Sequence, residues 1–68
     1  MWTELKYCRK GDLIRAYFLG DTNIEDPKNY VWHEIFTLES DGNGDYYAAI
    51  EGFKGEKLSG LSDVYKKD

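Results

Sequence analysis

The stretch that decides the fold is Tyr30-Val-Trp-His-Glu-Ile-Phe-Thr-Leu-Glu39, joined through Ser40-Asp-Gly-Asn-Gly44 to Asp45-Tyr-Tyr-Ala-Ala-Ile-Glu51. Two runs rich in β-branched and aromatic residues around a Gly-Asn-Gly turn predict a β-hairpin. A loop over residues 42–44, with Gly44 left-handed, sets Leu38 opposite Ala48 and Phe36 opposite Ile50, and one face is then apolar. A loop one residue shorter or longer would set Thr37 and Glu39 beside Tyr46, Ala48 and Ile50, because a single slip inverts every side chain. Phe36, Leu38, Tyr46, Ala48 and Ile50 are therefore expected to point inward. Val31, His33, Ile35, Thr37, Tyr47, Ala49 and Glu51 are expected on the opposite face.

Upstream of the hairpin, residues 3–10 read as a first short strand and Lys10-Gly11-Asp12 as a turn. Asp12-Leu-Ile-Arg-Ala-Tyr-Phe-Leu19 is a strand by composition, with Ile14, Ala16 and Phe18 on one side and Arg15 and Tyr17 on the other. Residues 20–29 hold the only proline and enough turn formers to make a surface loop. Downstream, Gly52-Phe-Lys-Gly55 reads as a second tight turn and Glu56-Lys-Leu-Ser-Gly60 as a short returning strand. Leu61-Ser-Asp-Val64 predicts one helical or 3-10 turn before a last strand at Val64-Tyr65. No window keeps apolar residues at a helical period, and no internal repeat appears.

With 68 residues there is room for one domain, and a chain of roughly 60 residues buries only about 60% of its unfolded surface, so every strand must share one core. That favours a small closed or nearly closed sheet. Aromatic residues make up 16% of the chain, which argues for a folded protein despite its polar mean hydropathy. Cys8 is the only cysteine, so no internal disulfide is available and a reducing compartment such as the cytoplasm is expected. No apolar run of about 18 residues is present to span a membrane as a helix, and Met1-Trp-Thr-Glu4 lacks the basic and apolar regions of a signal peptide.

The order Lys10-Gly-Asp-Leu-Ile-Arg-Ala16, a polar loop, a hairpin, Lys54-Gly-Glu-Lys-Leu58 and Leu61-Ser-Asp-Val-Tyr65 resembles small SH3-like barrels. In such barrels a Gly-Asp turn commonly opens the first long strand, and a short helical turn precedes the last. The resemblance implies an all-β barrel of about five antiparallel strands with one 3-10 turn near the C-terminus. Its core is expected from Ile14, Ala16, Phe18, Phe36, Leu38, Tyr46, Ala48, Ile50, Leu58, Leu61 and Val64, with Trp32 at the rim. The Ala-Leu-Tyr-Asp-Tyr run and Pro-x-Asn-Tyr segment of signalling SH3 domains are missing, so polyproline recognition is not implied. Barrels of this kind bind peptides, proteins or nucleic acids, and the fold alone does not choose.

Four features bear on chemistry. Asp41-Gly-Asn-Gly-Asp45 has the alternating oxygen donors that open a calcium loop, yet glycine and glutamate fail at its later positions, and the default reading is an exposed turn. In the expected register Asp41 and Asp45 face each other across the loop base, a repulsion that a cation could relieve. His33, Glu34 and Cys8 are the only hints of a nucleophile or base. Adjacent strand residues point to opposite faces, so His33 and Glu34 cannot act together directly; Cys8 reads as a small apolar filler of the first strand and His33 as a partly exposed sheet residue. Gly42, Gly44, Gly52 and Gly55 open no helix and read as turn glycines, not a phosphate cradle. No catalytic group, metal site or cofactor is expected.

The fourth feature is the second hairpin face, which is unusually apolar for a surface. It leads to the expectation of a non-enzymatic module that binds another protein, or its own copy, through Tyr17, Val31, Ile35 and Tyr47. Glu34, Glu39, Asp41 and Asp45 would tune the choice of partner, unless the 20–29 loop covers the face. A phage or mobile element could use such a short acidic chain to block a host nucleic-acid enzyme. The alternative is a nucleic-acid-binding barrel with Lys6, Arg9, Lys10 and Arg15 on phosphates and Tyr17 or Trp32 stacked on bases. Charge weighs against it: residues 1–28 balance five basic with five acidic groups, and residues 29–68 carry the whole net charge of −4.

Overall fold

In the computed structural model, which describes residues 1–25 and 31–68, the central hairpin pairs β3 (His33–Ser40) with β4 (Asp45–Ile50). Gly42 and Gly44 take the left-handed values φ 83° and 91°, and the Asp41 N–H donates to the Asp45 carbonyl at 3.0 Å to close the loop. Leu38 lies opposite Ala48, as the three-residue loop predicts.

The register then changes. Ile35, not Phe36, pairs with Ile50, and Thr37 pairs with Ala49, so Phe36 is the extra residue of a β-bulge. The bulge inverts the upstream half of the strand: His33 and Ile35 turn into the core, and Phe36 is 47% exposed. The inward assignment of Phe36 and the outward assignments of His33 and Ile35 are thereby corrected. Both backbone groups of Ile35 are fixed from the other side, since its N–H donates to Asp12 and its carbonyl accepts from Gly11.

The remaining strands are β1 (Trp2–Glu4), β2 (Leu13–Arg15), β5 (Lys57–Ser59) and β6 (Asp63–Lys66). All six form one antiparallel sheet in the order β1-β6-β2-β3-β4-β5, and the sheet is not closed. Among the described residues there is no α-helix, and none is long and apolar enough to cross a membrane. Among the described residues the two 3-10 turns cover Leu5–Tyr7 and Tyr17–Leu19, not the expected position near the C-terminus. There a tight turn, in which the Ser62 N–H donates to Ser59, leads straight into β6.

The strand predicted over residues 12–19 ends at Arg15 because its next backbone donor is diverted. The Ala16 N–H goes to the Asp21 carboxylate at 3.0 Å, and the Ala16 and Tyr17 carbonyls accept from Leu19 and Gly20. Gly20 closes that turn in the left-handed region at φ 87°. The expected 20–29 loop is described only as far as residue 25.

Leu5, Cys8, Ile14, Ala16, Ile35, Ala48, Ile50 and Val64 form the core, with Phe18, Leu38, Tyr46 and Leu58 among the residues packed against it. Leu61, expected inside, is 63% exposed, whereas Leu5 and Ile35, not expected in the core, are fully buried. Cys8 is a core residue as expected, although it follows the first 3-10 turn instead of lying in a strand.

Candidate functional site

The residues expected to form one docking face do not meet. Ile35 is fully buried, whereas Tyr17, Val31 and Tyr47 are exposed. Tyr47 lies on β4 opposite Glu39 and Lys57, with the Lys57 ammonium 5.7 Å from its ring centroid. Tyr17 belongs to the other end of the sheet, where its ring stacks on Trp2 at 6.3 Å.

That second contact is part of a larger array. Pairing of β1 with β6 places Trp2 opposite Tyr65, and their rings meet edge-on at 5.4 Å. Tyr65 in turn stacks on Trp32 at 6.4 Å, so four rings run in the order Tyr17, Trp2, Tyr65, Trp32. Arg15 and Lys67 lie over the Trp32 ring at 5.8 and 5.9 Å. Tyr17 at 66% and Trp2 at 43% exposure form the wet end of this series. Beside them a cleft of about 350 Å³ is lined by Trp2, Tyr17, Thr22, Asn23, Ile24 and Glu25. The Trp2 indole N–H donates to Glu25 Oε1 at 2.6 Å, which fixes a carboxylate at the edge of the ring.

The basic set proposed for phosphates is dispersed. Arg15 is 2% exposed, and its guanidinium donates to the backbone carbonyls of Asn23 and Ile24. Lys6 pairs with Glu4 at 3.6 Å, while Arg9 and Lys10 are exposed. Arg15 is therefore a brace behind the 23–24 backbone that lines the cleft, not a surface cation.

Of the three groups considered for catalysis, Glu34 is exposed on the face opposite His33, and His33 and Cys8 are engaged. The His33 ring contacts the Glu51 carbonyl through Nδ1 at 2.9 Å and Asp21 through Nε2 at 3.2–3.3 Å. Burial, and next the nearby Asp12 carboxylate, push the Cys8 thiol up, away from the thiolate that a nucleophile requires. At the hairpin loop the repulsion between Asp41 and Asp45 is relieved from within: the Lys57 ammonium lies 2.9 Å from Asp41 and 3.7 Å from Asp45. Asp41 also accepts from the Asn43 and Asp45 N–H groups, and its carboxyl is held below the usual range, first by the Asn43 bond and then by Lys57.

No protein-family model matches the chain, nor does any curated protein or solved structure. Trp2, Tyr65 and Glu25 were not marked by the sequence reading. The only signal for them is tertiary: Trp2 and Tyr65 stand 63 residues apart and meet only because β1 and β6 pair.

Proposed function

We propose that this protein is a non-enzymatic module that binds another protein through the aromatic end of its sheet, with Trp2 and Tyr17 as the anchors. The observation that carries the reading is the four-ring series, whose inner members hold Trp2 and Tyr17 in place while leaving them in water. Tryptophan and tyrosine held this way present large area at low entropic cost, the usual chemistry of a binding hot spot. Of the residues first expected in the docking face, Tyr17 stays and Ile35 leaves. The hydrogen-bonded His33 ring and the raised Cys8 thiol support a role without catalysis. A single buried thiol also suits a reducing compartment such as the cytoplasm.

We read the sheet as a small SH3-like barrel left open between its edges. Lys6 N–H donates to Gly60, and Gly60 N–H donates to Gly44, which draws the ends of β1 and β5 toward one another. The nucleic-acid alternative loses Arg15 as a phosphate contact and keeps only scattered cations.

Affinity capture tests the reading with three variants, each checked for folding by circular dichroism. Tyr17→Ala and Trp2→Ala should each weaken partner capture at least about tenfold, and Tyr47→Ala should leave it intact. Capture should persist at high salt, as expected for an apolar contact. Retention by Tyr17→Ala, or loss of all binding with salt, would refute it. Gel filtration separates an unlike partner from a second copy of the chain.

A further inference from the structure

We infer that the cleft beside Trp2 and Tyr17 receives an arginine side chain from the protein partner. The inference rests on the docking reading above and names the chemistry that this site would select. Three properties of the cleft converge on a planar cation. First, two of its walls are aromatic, and the exposed Tyr17 ring offers a face on which a guanidinium can stack. Second, Glu25 is positioned at the edge of the Trp2 ring by the indole N–H. A carboxylate has about four lone-pair sites, so one bond to the indole leaves acceptor capacity on the same group for a fork of N–H donors. Third, Thr22 and Asn23 add polar groups to the same wall.

Size and charge narrow the occupant. A cleft of about 350 Å³ falls at the low end of the roughly 300–1,000 Å³ found for small-molecule sites, which suits one inserted side chain. The net charge of −4 favours a basic partner in the encounter. The basic residue nearest in sequence to the lining, Arg15, donates to the carbonyls of Asn23 and Ile24, so its guanidinium is tied to the cleft wall itself. Arginine fits better than lysine because its flat guanidinium can stack on a ring and bond a carboxylate in two places at once. The second cleft, of about 330 Å³ beside Tyr46 and Leu61, carries Lys6 and Asp45 of opposite sign and selects no charge.

The test is an NMR titration of the full chain with a short acetylated, amidated peptide carrying one arginine between glycines. The readout is the indole N–H resonance of Trp2, identified by its loss in Trp2→Phe. The arginine peptide should shift it saturably, and the matching peptide with citrulline, neutral and of the same shape, should bind roughly tenfold more weakly. Glu25→Gln keeps an oxygen to accept from the indole, and it should lower affinity for the arginine peptide to that of the citrulline peptide. Equal binding of the two peptides, or no shift with either, would overturn the inference. A salt-sensitive shift produced by a single-stranded oligonucleotide in place of the peptide would overturn it too. If Tyr17→Ala abolishes partner capture while Glu25→Gln does not, the docking surface stands and the arginine site falls. If neither variant affects capture, both fall.

Discussion

The two ends of β3 each hold a pairing of acidic and basic side chains, and the two are built for different purposes. At the N-terminal end Asp21 and His33 are about nine-tenths buried and share their bonds with the backbone. Asp21 accepts from the Ala16 N–H, and His33 Nδ1 meets the Glu51 carbonyl, so the pair ties β2, β3 and the end of β4 together. At the C-terminal end Lys57 reaches Asp41 and Asp45 from a side chain that is 46% exposed, although the Asp41 carboxylate it meets is only 8% exposed. There the backbone has already closed the turn through Asp41 and Asp45, and the ammonium only relieves repulsion. A buried polar group left without its partner suffers the full cost of desolvation, whereas an ion pair whose cation stands in water is weakened by solvent, and the sheltered Asp41 keeps its loop N–H groups without it. The first pairing is part of the architecture; the second is an accessory to a turn that glycine has already made.

The bulge at Phe36 separates these ends, and the largest predicted effect tests it. Ile35→Ala should destabilise the protein by about 2–5 kcal/mol in urea unfolding. A domain this small has roughly 3–5 kcal/mol in total, so the variant is expected near the edge of folding. Ile35→Val keeps the measurement accessible, at about 0.5–1.5 kcal/mol. Phe36→Ala, on the solvent side, should cost about 0.5 kcal/mol or less. A reversal of that order would mean that the strand runs through without a bulge. Asp21→Ala comes next. It removes the acceptor of the Ala16 N–H and the partner of His33 Nε2 together, and should cost about 1–3 kcal/mol. Hydrogen exchange at Ala16 should speed up in that variant and remain unchanged in Lys57→Met.

The same division explains what could be read from the chain. The turn end was legible because Gly42-Asn43-Gly44 carries its conformation in its composition, and the pairing of Leu38 with Ala48 follows from loop length alone. The other end was not legible because a bulge has no fixed residue signature. Phe36 and Ile35 are both apolar, and only the strand pairing with residues 11–12 decides which one turns inward. Arg15 misled for a similar reason: a cation in an alternating strand reads as solvent-facing unless the carbonyls that will receive it can be foreseen. The early end of β2 was hidden in Asp21, five residues beyond the N–H it captures. For the aromatic site only Tyr17 and Trp32 could be named, since the contacts of Trp2 with Tyr65 and Glu25 join distant parts of the chain.

The smallest effect is expected at Lys57, and its value is that it separates two causes acting on one carboxylate. Asp41 is held below its ordinary value first by the Asn43 N–H and then by the Lys57 ammonium. A carboxyl lowered in the folded state contributes stability above its unfolded pKa of about 3.9, and that contribution is lost as pH falls through the lower folded value. Lys57 itself is raised, mainly by Asp41, so its share persists at neutral pH and disappears only in strong base as pH climbs through the raised value. In Lys57→Met the Asp41 carboxyl, followed by NMR against pH, should titrate higher than in the parent protein yet still below the ordinary range, because the loop N–H groups remain. High salt should shift the parent in the same direction, since it screens the ammonium more than it weakens the hydrogen bonds. If Asp41 instead returned fully to the ordinary value in Lys57→Met, the ammonium and not the turn would be what holds that carboxylate, and the contrast between the two ends of β3 would narrow to the exposure of their basic partners.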